Sequence, residues 1–291
     1  MRYIRCLILA LALPSLLPVC NMAGAEDDWR DKTLLLVYAP RYFGPNAFPI
    51  PELRSGKAPS HAEVEVRGEY HAYTGDKTRN LYLRALIPAV KGRAGIEVRF
   101  VALEQYRMTP EVRDERHAAE LESPPNESGS GDVVISAFYQ LLQSDRWIDA
   151  MCCLNLKTAS GGRLCDARFT DAATYWIDIT LGKDILKSRD RMYRLRVQAM
   201  SGFYCWMTND MVHRQNDAIL YGAGITATLR RLTLSSDLSG FSGYKHNGDQ
   251  PLLWRNSLQL EYRRNVLSLR YTHGMKDSLY DTYSIGYIRK F

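Results

Sequence analysis

The residues best suited to covalent chemistry lie near the carboxyl end of the chain, where His273, Asp277, Ser278 and Asp281 fall close together. A histidine that activates a serine hydroxyl makes a nucleophile, and a histidine paired with an aspartate can activate water. The residue two positions after His273 is Met275, so this stretch contains no His-x-Ser pair. We therefore place His273 at the edge of a loop and keep hydrolysis as an alternative.

A larger set of charged residues lies within stretches that are otherwise rich in Val, Leu, Ile and Tyr. Residues two apart share one face of a strand, so alternate charges in such stretches point to a common interior. The predicted interior residues are Glu65, Arg67, Glu69, Arg84, Glu97, Arg99, Lys157, Asp178, Arg194, Arg196, Asp237, Arg255, Glu261 and Arg270. Two interpretations stay open: these charges select among solutes, or opposite charges pair across neighbouring strands, as Arg84 would with Glu97.

Four of the six cysteines follow residue 25, namely Cys152, Cys153, Cys165 and Cys205. Their spacing contains no CxxC or Cys/His pattern typical of a metal site, so we expect neither a metal nor another cofactor. Cys165 follows the fifth predicted strand and Cys205 lies near the outer end of the seventh, with only the sixth between them. Both are on the outer side, and we predict a disulfide between them. The adjacent Cys152 and Cys153 point to opposite faces of a strand and are expected to be buried thiols.

The elements that carry these residues are strands. From residue 61 onward, stretches such as HAEVEVRGEYHAY, GIEVRFVAL and TYSIGYI alternate apolar and polar residues, which is the period of a half-buried strand. We count twelve such stretches. Short links such as KGRA follow the even-numbered strands, and mostly longer links, such as TGDKTRN and residues 107–131, follow the odd-numbered ones. This rhythm is typical of an all-β, antiparallel up-and-down transmembrane barrel.

The cost of placing charge in lipid decides which face of each strand points outward. An Arg or Lys on the lipid face near the bilayer midplane costs roughly 2–4 kcal/mol, so the charge-free face must meet lipid. Aromatic residues share that face and lie mostly toward strand ends, as interfacial girdles do. The aromatic residues predicted to face outward are Tyr70, Tyr139, Tyr175, Tyr193, Tyr221, Trp254, Tyr262, Tyr271, Tyr283 and Phe291.

Two segments precede the barrel. Residues 1–25 have the features of a signal peptide, with Arg2 and Arg5 before an apolar run and a small-residue cleavage site at Ala23-Gly24-Ala25. Residues 26–60 contain prolines that exclude a regular strand beyond about residue 39. Because this segment precedes the first strand, we expect it to start on the periplasmic side, and we predict that it plugs the barrel rather than remaining a loose tail.

Residues 61–291 resemble Gram-negative outer-membrane β-barrel proteins. The terminal Phe291, with apolar residues alternating before it, is similar to the signal by which such barrels are recognised, which implies the barrel-assembly machinery as a partner. In finer detail, GDVVISAFYQLL, CLNLKTASGG and FTDAATYWIDITLGK resemble transporter-like barrels grouped with the phenol meta-cleavage pathway proteins. In this sequence, residues 157–161 (KTASG) stand where that group more often has Pro-Thr-Gly.

These observations predict a channel or transporter of the outer membrane for small, polar solutes, with membrane lipid and the solute as further partners and no enzymatic activity. Nucleic acid is not expected as a partner, because basic and acidic residues are interleaved along the chain. Two alternatives remain. One is a barrel enzyme that acts on lipid, and the other is a plugged structural or surface-binding barrel without transport.

Overall fold

Twelve antiparallel strands close into a barrel in a computed structural model that describes residues 33–118, 127–188 and 192–291. The predicted signal peptide lies outside the described residues. Twelve wall strands and one short additional strand, β4, are described: β1 Glu63–Tyr73, β2 Asp76–Val90, β3 Ala94–Met108, β4 Glu127–Gly129, β5 Val134–Leu142, β6 Asp149–Lys157, β7 Thr174–Lys187, β8 Tyr193–Met207, β9 Gln215–Leu229, β10 Leu232–Gly243, β11 Leu252–Tyr262, β12 Asn265–Lys276 and β13 Asp281–Lys290.

The barrel wall is an up-and-down meander in which each strand pairs with the next. The short strand β4 lies outside this ring and pairs only with β3, while β3 continues its pairing with β5. The ring closes between β1 and β13, with Glu63 opposite Lys290 and Ala72 opposite Asp281. Closure leaves no unpaired strand edge in the twelve-stranded wall, which a bilayer requires. The prediction of an all-β, twelve-stranded antiparallel barrel is confirmed.

The two ends of the barrel differ in their connections. Following the arrangement of transmembrane barrels, we call the end with the longer links the outer end and the other the periplasmic end. One predicted long link is wrong: β1 and β2 are joined by Thr74-Gly75 alone, because the strands extend past their apolar stretch. Gly75 has a φ of +83°, and a short helix, α1 (Pro110–Glu115), packs against this turn through Val112.

The outer surface of the wall is apolar. Val64, Ile96, Ile177 and Leu267 are exposed, whereas their charged sequence neighbours Glu65 and Glu97 are buried inside. An apolar belt of this size is unfavourable in water and matches the lipid-facing band of a membrane barrel. All ten aromatic residues predicted for the outward face are exposed or partly exposed.

Within the part of the chain that the structure describes, no helix has the length and apolar character needed to cross a bilayer.

The carboxyl-terminal residue completes the wall. The Phe291 backbone N–H donates to the Ala62 carbonyl oxygen at 2.9 Å, which extends the seam between β13 and β1 by one bond. Its side chain is exposed on the outer surface, on the same face as Tyr283, Ile285 and Tyr287. The last residue therefore contributes both a backbone bond at the seam and an aromatic ring at the periplasmic rim.

Deleting Phe291 is expected to lower the amount of folded barrel in the outer membrane, because both the seam bond and the terminal ring are lost. The measurement is the heat-modifiable band of outer-membrane fractions on gels. Phe291→Trp keeps the aromatic ring and the backbone bond, so it serves as the control and should assemble normally. Equal assembly of the deletion and the parent would show that Phe291 has no such role.

Candidate functional site in the barrel lumen

The inner segment, which we define as residues 33–62, runs through the barrel from end to end. At the outer end, Asn209 Nδ2 donates to the Thr33 and Leu36 carbonyl oxygens at 2.9 and 2.8 Å, and Trp206 Nε1 donates to the Tyr38 carbonyl oxygen at 2.8 Å. At the periplasmic end, the Gly92 N–H donates to the Pro59 carbonyl oxygen at 3.1 Å. Residue 33 thus lies at the outer loops, and the segment crosses the lumen before β1 begins.

The outer half of the inner segment is held by aromatic packing. Phe43 and Phe48 are buried, and the Phe48 ring lies 5.9 Å from the Trp206 ring in an edge-on arrangement. Tyr204 and Phe241 stack at 4.3 Å behind them. Such ring pairs stabilise by about 0.5–1.5 kcal/mol each beyond the burial of their area. Sequence reasoning missed this cluster. Tyr204 and Trp206 nevertheless lie on the same face of β8 as Arg194 and Arg196, which were predicted to face the interior.

The periplasmic half is held through its backbone. Arg255 donates to the Ile50 and Pro51 carbonyl oxygens at 2.9 and 3.2 Å, and Arg196 Nε donates to the Ser55 carbonyl oxygen at 2.8 Å. Gln140 donates to the Gly56 carbonyl oxygen at 2.9 Å. A chain without a strand ladder needs other partners for its buried carbonyl groups, and wall side chains supply them.

One close approach fixes how the inner segment sits on β7. A Cβ built at Gly182 would collide with the Ser55 carbonyl oxygen, and a Cβ at Gly56 would lie 2.8 Å from the Gly182 nitrogen. Gly56 also has a φ of +76°, which side chains rarely tolerate. Two glycines therefore let the segment touch the wall backbone to backbone.

Gly182→Val is expected to release the periplasmic half of the inner segment while the barrel stays closed. The new side chain occupies the place of the Ser55 carbonyl, so Arg54 and Lys57 become accessible to trypsin. The measurement is tryptic cleavage of the folded protein. The control is Gly68→Val, since a Cβ at Gly68 meets nothing within 4 Å. Protection of Arg54 and Lys57 in Gly182→Val equal to that in the control would contradict this account.

Two cavities remain beside the inner segment, against β1, β2, β3 and β11 to β13. The outer cavity has a volume of about 160 Å³ and the periplasmic cavity about 420 Å³. Six residues line both cavities, so the two cavities adjoin at these side chains. We call this shared lining the constriction, and it consists of Glu52, Arg67, Tyr82, Arg99, Arg255 and Arg270.

Acids and bases near the constriction are extensively paired. Glu97 accepts from Arg54, Arg84 and Arg99 at 2.9, 3.2 and 3.3 Å. Glu65 accepts from Arg67 at 3.1 Å and from Arg84 at 2.7 Å. The cross-strand pair of Arg84 with Glu97, foreseen as the alternative to a solute-selecting role, is present. The lumen is therefore a mixed-charge network with solvent-filled space on one side.

Nine of the predicted interior residues line the cavities, namely Glu65, Arg67, Glu69, Arg84, Glu97, Arg99, Asp237, Arg255 and Arg270. The other five are Lys157, Asp178, Arg194, Arg196 and Glu261, and none of these five lines either cavity.

These five residues do not line the cavities because four of them are paired with other side chains and the fifth lies near a strand end. Lys157 is fully buried, 2.6 Å from Asp132, and Arg196 lies 2.5 Å from Asp149. Asp178 accepts from Asn155 Nδ2 at 3.3 Å, and Glu261 lies 2.8 Å from Lys290. Arg194 is partly buried close to the periplasmic end of β8. Lys157, Asp178 and Arg196 are therefore packed into the wall, and Arg194 and Glu261 lie near the periplasmic ends of their strands.

A second charged cluster closes the outer end over β2 and β3. Arg168, from the loop between β6 and β7, donates to Asp76 at 2.6 Å, to Glu104 at 2.8 Å and to Thr78 at 2.7 Å. Arg116, just after α1, lies 2.8 Å from the same Asp76 carboxylate. Sequence reasoning missed this cluster because its two arginines come from loops, where no period indicates a direction.

The remaining outer loops are tied together at their surface. Lys245 Nζ lies 3.0 Å from Asp210 Oδ2, and the backbone N–H groups of Val212 and His213 donate to Asp210 Oδ1. These hydrogen bonds, with the Lys245 ammonium first among them, hold the pKa of Asp210 well below its usual range.

The predicted disulfide between Cys165 and Cys205 is not present in the structure. Cys205 lies on the outward face of β8, opposite Tyr175, while Cys165 belongs to a 3-10 turn next to the fully buried Asp166. Both residues are therefore thiols rather than disulfide partners in this structure. Cys153 is buried, as expected, whereas Cys152 is only partly buried on the outward face.

His273 lies on the outside of the barrel. Its Nδ1 is 2.7 Å from Asp281 Oδ1, and both side chains are more than two-fifths exposed. Ser278 lines the outer cavity inside the barrel, so His273 and Ser278 lie on opposite sides of the wall. The pairing that a serine hydrolase needs is therefore not assembled here. In the described ranges, no group of three or more His, Cys, Asp or Glu side chains could hold a metal ion.

Comparison with known proteins adds the fold class. No known family model and no curated protein matches the chain. The structure is similar to that of the COG4313 outer membrane channel from Pseudomonas putida F1, with a TM-score of 0.55, 11% identity, and coverage of 83% of this chain and 100% of that chain. It is also similar to the NanC porin, with a TM-score of 0.52, 12% identity, and coverage of 78% and 99%. At these identities, the similarity shows an outer-membrane barrel fold.

Proposed function

We propose that this chain, which has the fold of outer-membrane β-barrels, forms an outer-membrane channel for small, polar solutes that pass between the inner segment and the wall. The observation that carries the proposal is the pair of cavities that meet at the charged constriction. Charged and hydrogen-bonding side chains along a narrow path replace part of a solute's hydration and select by charge. A purely structural barrel has no need of solvent-filled space along its lumen.

The partners follow from the same proposal. Lipid of the outer membrane covers the apolar belt, the barrel-assembly machinery inserts the chain with Phe291 as its signal, and a small-molecule solute occupies the lumen. The finer resemblance to transporter-like barrels grouped with the phenol meta-cleavage pathway proteins is part of this proposal. The two solved structures described above are named as a channel and a porin, which supports a channel role.

Liposome swelling tests the proposal directly. Vesicles containing the folded protein are expected to swell in isotonic solutions of small polar solutes, and to swell more slowly as the solute becomes larger. Swelling no faster than that of protein-free vesicles, for every solute, would contradict the channel and favour a plugged structural barrel. Hydrolysis of vesicle lipid that is lost in His273→Ala would instead favour a barrel enzyme.

A further inference from the structure

Glu52 holds a distinct position in the lumen. It is the single carboxylate among the described residues 33–62, and its Oε1 lies 3.1 Å from an Arg270 guanidinium nitrogen. Arg67, Arg99 and Arg255 line the same constriction as Glu52, so their charges also act on this carboxylate. The Glu52 side chain is 39% exposed, so it faces the solvent-filled space rather than being sealed into the wall.

The four arginines differ in what else neutralises them. Arg67 pairs with Glu65 and Glu69. Arg99 pairs with Glu97 at 3.3 Å, and Arg255 lies 3.5 Å from Asp237. For Arg270, the carboxylate found within salt-bridge distance among the described residues is Glu52 alone. If the Glu52 carboxylate moves away, the Arg270 guanidinium loses its counter-charge. The site therefore favours a ligand with a single negative charge.

The outer cavity beside this charge has an apolar part as well as polar lining such as Glu69, His71 and Asp132. Five buried side chains line the apolar part, namely Phe48, Val101, Val134, Phe169 and Leu253. The volume of about 160 Å³ is close to that of an apolar cavity of about 150 Å³ that binds benzene. A ligand that fits this space has an anionic end at Arg270 and an apolar body about as large as a six-carbon ring.

We propose that Arg67, Arg99, Arg255 and Arg270 form a monocarboxylate-binding site that Glu52 occupies in this structure, and that a small carboxylate solute with an apolar body displaces Glu52. This inference rests on the proposed channel function and names the solute class. Glu52, which is part of the chain, competes with the solute carboxylate for the same arginines. A flexibly tethered group acts at an effective concentration on the order of millimolar, so the solute must reach a comparable level to displace it.

Isothermal titration of the full mature barrel in detergent micelles tests the site, with cyclohexanecarboxylate as the probe. Glu52→Gln keeps the shape of the side chain and removes its charge, so we expect the carboxylate to bind about tenfold more tightly. Arg270→Gln should abolish binding, and Arg270→Lys, which keeps a cation, should retain part of it. Each variant is first checked for the heat-modifiable band of a folded barrel.

Two controls separate charge competition from simple loosening of the inner segment. Glu115→Gln removes another ion pair of this segment, the 3.1 Å contact with Arg41 at the outer end, without touching the arginines. It should leave carboxylate affinity unchanged. The uncharged isostere cyclohexanecarboxamide should bind Glu52→Gln and the parent equally.

An unchanged carboxylate affinity in Glu52→Gln, or an equal gain for the amide, would overturn the carboxylate site. The same titrations separate this inference from the channel itself. If vesicles swell but Glu52→Gln has no effect on binding, the inference fails and the channel stands. If Glu52→Gln tightens binding but no vesicle swells, the site stands and the proposed channel fails.

Discussion

Removing residues 26–58 is expected to raise the single-channel conductance of the barrel in planar bilayers several-fold. The described part of this segment fills one side of the lumen with Phe43, Phe48 and its hydrogen-bonded backbone, so its loss widens the aqueous path. The twelve-stranded wall does not depend on it, because every wall strand has two neighbours. Single-channel recording before and after the deletion provides the measurement.

A milder variant controls for misfolding caused by the deletion. Phe43→Ala with Phe48→Ala removes two buried rings, each worth roughly 3–5 kcal/mol when truncated, and leaves the chain length unchanged. It should produce intermittent transitions to the larger conductance as the outer half of the segment leaves its aromatic pocket. Identical conductance in the parent, the double variant and the deletion would show that the inner segment lies outside the path of ions.

Arg168→Ala is expected to lower the free energy of unfolding by roughly 3–5 kcal/mol, because it leaves the buried Glu104 without its counter-charge and Asp76 with Arg116 alone. Arg168 is fully buried and pairs with both Asp76 and Glu104. Its guanidinium also lies 4.3 Å from the centre of the Tyr106 ring. The measurement is urea unfolding of the barrel in lipid vesicles, read as a shift of the midpoint at constant slope.

The matched control is Arg41→Ala at the same outer end. Arg41 pairs with Glu115 at 3.1 Å, and both side chains are more than a third exposed. Exposed pairs of this kind contribute at most about 1 kcal/mol, so the midpoint should hardly move. A loss in Arg168→Ala no larger than that in Arg41→Ala would show that the buried cluster does not stabilise the outer end.

The barrel wall was predictable from sequence because each strand alternates apolar residues that face lipid with polar or charged residues that face the lumen. Val64, which is exposed, and Glu65, which is buried, show this alternation at the start of β1, and the same alternation continues through most strands. It breaks at β3, where Tyr82 pairs with Val101 and Leu81 with Leu103. Ala102 is an extra residue, so the alternation reverses after Val101: Leu103 is exposed and Glu104 is buried. A bulge of this kind leaves no periodic signal in the sequence.

The candidate site was predictable only in part. The alternation of residues along each strand identified the charges of the wall, including Arg84 and Glu97, because alternate side chains of a strand point to opposite faces. It did not identify Glu52, whose position depends on how a non-periodic segment threads the lumen. Arg116 and Arg168 were missed for the same reason, since loop residues take their direction from distant partners. The predicted disulfide is absent because proximity in the strand order does not bring a loop thiol and a strand thiol to the short distance that a bond requires.

Charged methanethiosulfonate reagents, applied while single-channel current is recorded, test most directly whether ions pass through the two cavities. Cysteines are introduced in pairs of neighbours, in a background where the four cysteines after residue 25 are replaced by alanine. Ser284→Cys faces the outer cavity and Gln259→Cys the periplasmic cavity, whereas Ile285→Cys and Leu260→Cys face lipid. The account predicts that modification changes the current at positions 284 and 259 and leaves it unchanged at 285 and 260. No change at 284 and 259, despite completed labelling, would contradict it.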